Sequence, residues 1–259
     1  MTKIIGILNY NDDSFSDGGQ YSDLEKAVRR VSQLFSSGAD IVDIGVSSTS
    51  YGSKLVTGER EVAKLSPLLD RINLNNISID TYNYETMKYC VDKGVKYIND
   101  VSGGRDKRTL KLIACHPDVK YICMYSLVLP ASRNIRIKSI NDIYDWITGK
   151  INDTNAIGIN KEQLIIDPGI GFVTNSSQSI NLLQEIDKLK SYGVKICVGH
   201  SRKSFFEETM DKKTMSRDIE TLATSIYLSL SNIDYIRVHN VSIHSVGLGV
   251  LKKLIKKNN

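Results

Sequence analysis

Eight short runs rich in β-branched residues recur along the chain, each followed by a stretch of helical periodicity, and no other feature restricts the fold as much. The runs are Ile4–Asn9, Asp40–Gly45, Ile77–Asp80, Lys96–Asp100, Lys120–Ser126, Leu164–Gly169, Lys195–Ser201 and Tyr235–Asn240. This alternation marks βα units around a parallel sheet. The segments between them, such as DLEKAVRRVSQLFSSG and EREVAKLSPLLDRI, are amphipathic, and Gly38 supplies a C-terminal stop before the second strand. Eight units in 259 residues fit an α/β fold of the (β/α)₈ barrel type, a class that runs to about 250 residues as one domain. Strand counting alone leaves an open doubly wound sheet as the alternative. No internal repeat or linker divides the chain, so one domain over residues 1–259 is expected.

Hydrophobic residues make up 41% and charged residues 24% of the chain, which excludes disorder, collagen-like repeats and a disulfide scaffold for the whole. The net charge of +5 is spread out except at the tail from Lys252 to Asn258, where Lys alternates with apolar residues as on a solvated helix face. Nucleic acid is therefore not an expected partner. Cys90, Cys115, Cys123 and Cys197 form no CxxC pair and sit mostly in apolar surroundings, so buried thiols are expected rather than disulfides or metal ligands. The opening apolar run is too short for a secretory signal, and no run approaches the roughly 18 residues of a membrane span. A cytoplasmic protein without a membrane partner is the expectation.

Polar groups gather at the C-terminal ends of the runs: Asn9, Ser47 to Ser50, Asp80, Asn99, Asp100, Asp167, Ser201 to Lys203, Arg237 and His239. In a barrel these ends converge on one mouth, where active sites are built. Asp80, Asn99 and Asp167 would offer two carboxylates and an amide to the edge of a heterocycle carrying adjacent N–H and NH₂ donors. Lys203 would offset the acidic pair; a purely structural carboxylate–lysine cluster is the other reading. Arg202, Lys203, Arg237 and His239 end the last two runs, where barrels hold phosphate, although His239 also reads as a satisfied core histidine. His116 and His244 lie by helix ends and read as surface or capping residues.

Two long connectors, Tyr10 to Asp23 and Leu127 to Ser139, lie on the mouth side, where lids belong. Asn9, Asp12, Asp13 and Asp17 are oxygen donors available to a Mg²⁺ ion shared with a pyrophosphate. The sequence contains no GxxxxGK[ST], no GxGxxG after a strand and no nucleophile elbow.

The segments GILNYNDDSFSDGG, SIDT, INDVSGG, IIDPGIGF, GHSRKSF and RVHNV, in this order, resemble the signature segments of the dihydropteroate synthase family, and the resemblance runs from Gly6 to Val241. It implies a TIM barrel, usually a homodimer, that joins 6-hydroxymethyl-7,8-dihydropterin pyrophosphate to p-aminobenzoate with Mg²⁺ in folate biosynthesis and is a sulfonamide target. By resemblance, Asp80, Asn99, Asp167 and Lys203 hold the pterin with Met124 close by. Asn9 serves the metal, while Arg237 and His239 handle the pyrophosphate and, with Lys203, form the catalytic set. Asp12, Asp13 and Asp17 close over the site, and Thr49, Phe172, Ser201 and Arg202 help form the p-aminobenzoate site. In the family the pyrophosphate is thought to leave before the amine attacks.

Several positions depart from the family pattern. The usual GGESTRPG is Gly45, Val46, Ser47, Ser48, Thr49, Ser50, Tyr51 and Gly52, which removes a Glu, an Arg and a Pro. The usual TPD is Asn11, Asp12 and Asp13, the Lys after GFG is Thr174, MH is Met124 with Tyr125, and HDV is His239, Asn240 and Val241. A catalytically weak pterin-binding paralogue or a pterin-dependent methyltransferase would keep the same pterin set.

Overall fold

A computed structural model describes residues 2–11, 20–47, 55–132, 134–206 and 217–255. Eight parallel strands close into a barrel in sequence order: β1 (Lys3–Asn9), β2 (Ile41–Gly45), β3 (Ile77–Thr81), β4 (Tyr97–Asp100), β5 (Lys120–Met124), β6 (Leu164–Asp167), β7 (Lys195–Val198) and β8 (Tyr235–Val238). The described α-helices are α1 (Gln20–Ser36), α2 (Gly58–Leu69), α3 (Tyr84–Asp92), α4 (Lys107–Ala114), α5 (Asn141–Ala156), α6 (Ser176–Gln184), α7 (Ile186–Lys190), α8 (Asp218–Leu230) and α9 (Val241–Leu254). All eight expected strands form. The last four end two or three residues earlier than the apolar runs do, because residues such as Pro168, with no N–H to donate, and Gly169, at φ +69°, leave the ladder and turn into the mouth.

Side chains alternate across each strand, and the two faces have different partners. The outward face packs against the helices in one large apolar core that includes Ile44, Ile79, Ile98 and Ile166. Inside the barrel, Ile5, Ile41, Ile122, Ile165, Cys197 and Tyr235 form a closed apolar floor. Two residues further along, β2, β6 and β8 turn polar at Asp43, Asp167 and Arg237, while β1 and β5 present the apolar Ile7 and Met124. The register sets Gly45 beside Asp80, Asp80 beside Asn99, and Met124 beside Asp167. A closed apolar floor below a polar layer makes the mouth a low-dielectric site.

The connector after β5 is tied down at its far end, where Ile137 is buried and donates its N–H to Val173 while Arg136 donates to the Thr174 carbonyl. Three of the four cysteines are buried thiols; Cys115 is exposed. His244 is not a surface residue. It lies one turn after Val241 on the buried side of α9, fully enclosed, with Nδ1 bonded to the Asn240 carbonyl, so it is a core residue that bonds within its own helix rather than a surface or capping one. His116 is partly buried, with Nδ1 against the Leu112 carbonyl. Among the described residues no helix is long and apolar enough to cross a membrane.

Candidate active site

The polar layer opens into a cavity of about 250 Å³ at the C-terminal ends of the strands. Asn9, Asp80, Asn99, Met124, Asp167, Phe172, Ser201, Lys203, Arg237 and His239 all line it. Ten residues spread over the chain thus share one wall. Arg202 does not join them: with φ +58° its side chain turns outward, and its guanidinium forms two bonds to Asp218, at 2.7 and 3.1 Å. Thr49, Asp12, Asp13 and Asp17 lie outside the described residues, as do Ser50 and Tyr51.

One carboxylate here has no counterpart in the sequence reading. Asp43, from the inward face of β2, is fully buried, and its Oδ2 accepts from Arg237 Nε at 2.6 Å and from Asn99 Nδ2 at 3.0 Å. Arg237 Nη2 donates in turn to Asp80 Oδ2 at 2.6 Å. A charged residue at an inward parity position of the otherwise apolar IVDIG strand was the available signal.

The electrostatics follow from this crowding. Burial pushes Asp80 above the usual carboxylate range; Arg237 pulls it back, but Asp43, Glu61 and Asp100 repel it further upward. Burial likewise raises Asp167, opposed by Lys203, while Asp167 Oδ1 accepts the Gly169 N–H at 2.8 Å. For Arg237, burial works against the charge, but Asp43 and Asp80 outweigh it and hold the guanidinium protonated. His239 is driven down to about 4, first by burial and then by Arg237, so it is neutral near pH 7. Desolvation lowers Lys203 to about 8 despite Asp167. Its ammonium bonds the Ile170 carbonyl and lies 4.4 Å from the Phe172 ring centroid.

Gly171 makes room for that lysine. It sits at φ +75°, and a β-carbon there would come within 2.6 Å of Lys203 Cδ. Gly171→Ala is expected to displace Lys203, weaken ligand binding several-fold and cost about 1–2 kcal/mol of backbone strain. Ligand titration beside denaturant unfolding checks both; unchanged affinity would show that Lys203 reaches the site by another path.

Three of the departures from the family pattern have local explanations. Ser47 Oγ donates to Glu61 Oε1 at 2.6 Å, and Thr81 and Thr86 donate to Oε2 of the same buried carboxylate at 2.5 and 2.7 Å. A glutamate at position 47 would set two acids face to face, whereas serine provides the donor. Thr174 accepts the Gly171 N–H at 2.8 Å and bonds Ser179, so it braces the turn below Lys203. Asn240, in place of an aspartate, donates to Asp218 Oδ2 at 3.0 Å, beside the Arg202 guanidinium. Asp218 is held down at about 2, chiefly by Arg202.

The pterin binding enzyme family matches residues 5–239. The dihydropteroate synthase of Clostridium beijerinckii is 31% identical over 244 residues, 93% of this chain and 89% of that protein. The chain belongs to the dihydropteroate synthase family of pterin-binding enzymes. A Streptococcus pyogenes member of the family is also 31% identical, over 97% of this chain and 95% of its own. Among solved family members, the Anaplasma phagocytophilum enzyme with bound 6-hydroxymethylpterin-monophosphate superposes with TM-score 0.87 at 31% identity, covering 98% of this chain and 99% of that one. The Xanthomonas albilineans enzyme with 4-aminobenzoic acid gives TM-score 0.88 at 29% identity, over 98% of this chain and 93% of that one.

Proposed function

We propose that this enzyme condenses 6-hydroxymethyl-7,8-dihydropterin pyrophosphate with p-aminobenzoate to give 7,8-dihydropteroate and pyrophosphate. The observation that carries the reading is the pairing, in one cavity, of an acceptor wall (Asp80, Asn99 and Asp167) with a donor pair suited to phosphate (Arg237 and His239). The acceptor wall takes the ring N–H and NH₂ groups, and Lys203 donates to the ring's acceptor atoms. The bond between the pterin methylene carbon and the pyrophosphate oxygen breaks with its electrons leaving on the pyrophosphate. Positive charge then develops on the pterin, which Asp80 and Asp167 stabilise without any protein nucleophile.

Arg237 meets the departing pyrophosphate with the guanidinium protons left over from Asp43 and Asp80. Ser201 supports the role of His239: its Oγ accepts the His239 backbone N–H at 3.2 Å and contacts Nδ1 at 2.9 Å. With the serine proton given to Nδ1, the ring proton stays on Nε2 as a donor to the anion. The amine nitrogen then bonds to the methylene and releases its proton to water. Phe172 and Ser201 line the cavity and are assigned to p-aminobenzoate, with Thr49 as a further candidate.

Asn9 presents an exposed carboxamide at the same cavity, which fits a Mg²⁺ ion held by one protein oxygen and the substrate's own oxygens. Asp12, Asp13 and Asp17 are further candidates from the loop that follows. When bound, Mg²⁺ supplies neutralisation of the leaving pyrophosphate. Exposed Tyr227 and Leu230 on α8, exposed Val246 and Val250 on α9, and an apolar groove beside Ile180, Leu183 and Tyr227 support a homodimer. Free thiols suit a reducing, cytoplasmic compartment.

The test is product formation with each component omitted in turn. Dihydropteroate should appear only with both substrates and Mg²⁺, and pyrophosphate release without the amine would reveal the split order. Product in excess chelator would remove the metal from the scheme, and no product under any condition would leave a pterin-binding protein without this activity.

The free enzyme should also carry an alkaline limb in kcat/KM. Lys203 is charged below about 8 and neutral above it, so activity should fall as pH rises through that value. The same profile for Lys203→Met should lack the limb; a limb that survives belongs to another group.

A further inference from the structure

Asn99 could serve a ligand in two ways, because rotating a carboxamide by half a turn exchanges its acceptor and its donors with almost no change of shape. The side chain is 4% exposed and lines the cavity, so the choice decides what the wall recognises. With one Nδ2 hydrogen donated to Asp43 Oδ2 at 3.0 Å, the carboxamide is held in one of its two orientations, and that sets the side on which Oδ1 lies. The same Asp43 oxygen accepts from Arg237 Nε at 2.6 Å, while Asp80 holds Nη2 of that arginine. Asp80 is itself an acceptor for the pterin. Once it turns to the ligand, Asp43 is the carboxylate that still anchors the guanidinium.

We propose that Asp43 is a positioning residue for substrate recognition: by taking one amide hydrogen of Asn99 it fixes the carboxamide's orientation and so presents Asn99 Oδ1 to the donor edge of the pteridine, and it holds Arg237 independently of Asp80. This deepens the dihydropteroate synthase reading and rests on it. The role is exerted through two other residues from a position that is fully buried beneath them. Its signature is therefore a change in what the cavity prefers rather than a loss of folding alone.

The test compares binding of 6-hydroxymethylpterin with binding of lumazine, a pteridine that carries a carbonyl in place of the pterin amino group. Wild-type protein should prefer the pterin. Asp43→Ala should lower that preference by about tenfold or more, because an untethered amide can turn its donors toward the ligand. Asp43→Asn should keep the preference to within about threefold, since its carbonyl can stand where Oδ2 stood. Ser78→Ala, beside Asp43 in the strand register, controls for a disturbed barrel interior and should change nothing. An unaltered preference in Asp43→Ala, or a loss as large in Asp43→Asn, would overturn the proposal.

Should Asp43→Ala not fold, the wild-type protein still decides the matter by NMR. Protons from Arg237 Nε and Asn99 Nδ2 converge on one oxygen, so a nuclear Overhauser contact between them is expected, and its absence would overturn the proposal. A wild-type protein that binds neither pteridine would instead overturn the functional reading, and the proposal with it.

Discussion

The Arg237→Met enzyme is expected to have no measurable turnover and to lose about 3–5 kcal/mol of stability, the cost of leaving buried carboxylates without their cation. Arg237 is the ion-pair partner of both Asp43 and Asp80, whose side chains are 0% and 17% exposed. Methionine fills much of the volume but answers neither charge, and it offers nothing to a leaving pyrophosphate. The deficit should depend on pH with a definite sign. Asp80 already sits above its usual range because of burial, and removing Arg237 takes away the one interaction that lowers it most. The folded state of the variant then binds a proton that the unfolded chain has released, so its stability falls as pH rises from the ordinary carboxylate range through the raised value. Denaturant melts across that range check the sign; a pH-independent deficit would mean that packing, not charge, is lost.

The Asp167→Asn enzyme should bind pterin about tenfold to a hundredfold more weakly, the worth of a charge-assisted contact of about 1.5–3 kcal/mol, with a much smaller effect on p-aminobenzoate. Asparagine can still accept the Gly169 N–H, so the turn should survive. A second consequence separates this from a general defect. Asp167 is the main group supporting the charge of Lys203 against desolvation. Without it the lysine deprotonates more readily, and the alkaline limb of kcat/KM should move to lower pH. Calorimetry with a pterin alone and a pH–rate profile measure the two effects. Wild-type affinity in the variant would remove Asp167 from the pterin wall.

Much of this site was legible because its members sit at equivalent places in a repeated pattern. Asp80, Asn99, Asp167 and Arg237 lie at or near the C-terminal ends of their strands and His239 directly follows β8, and in a closed barrel the ends of all strands meet. Arg202 stands off the cavity for a local reason: it is next to Lys203 in sequence, but a residue at φ +58° sends its side chain away from the neighbour's course, toward Asp218 on α8. His244 is buried because its three-residue spacing from Val241 puts both on the inner face of α9.

The eight strands and most of the residues at the mouth are readable from local pattern, because strand alternation, helix amphipathicity and turn residues act over a few neighbouring positions and repeat eight times. Which charges answer which is settled by closure of the barrel. Asp43 and Arg237 are 194 positions apart, and Asp43 and Asn99 are 56 apart. Ser47 with Glu61, and Asn240 with Asp218, are likewise joined by closure rather than by spacing. A carboxylate on an inward strand face carries no local mark of its partner. The partner is chosen when the barrel closes, since burial makes every unpaired charge costly and only contacts across the mouth can satisfy it.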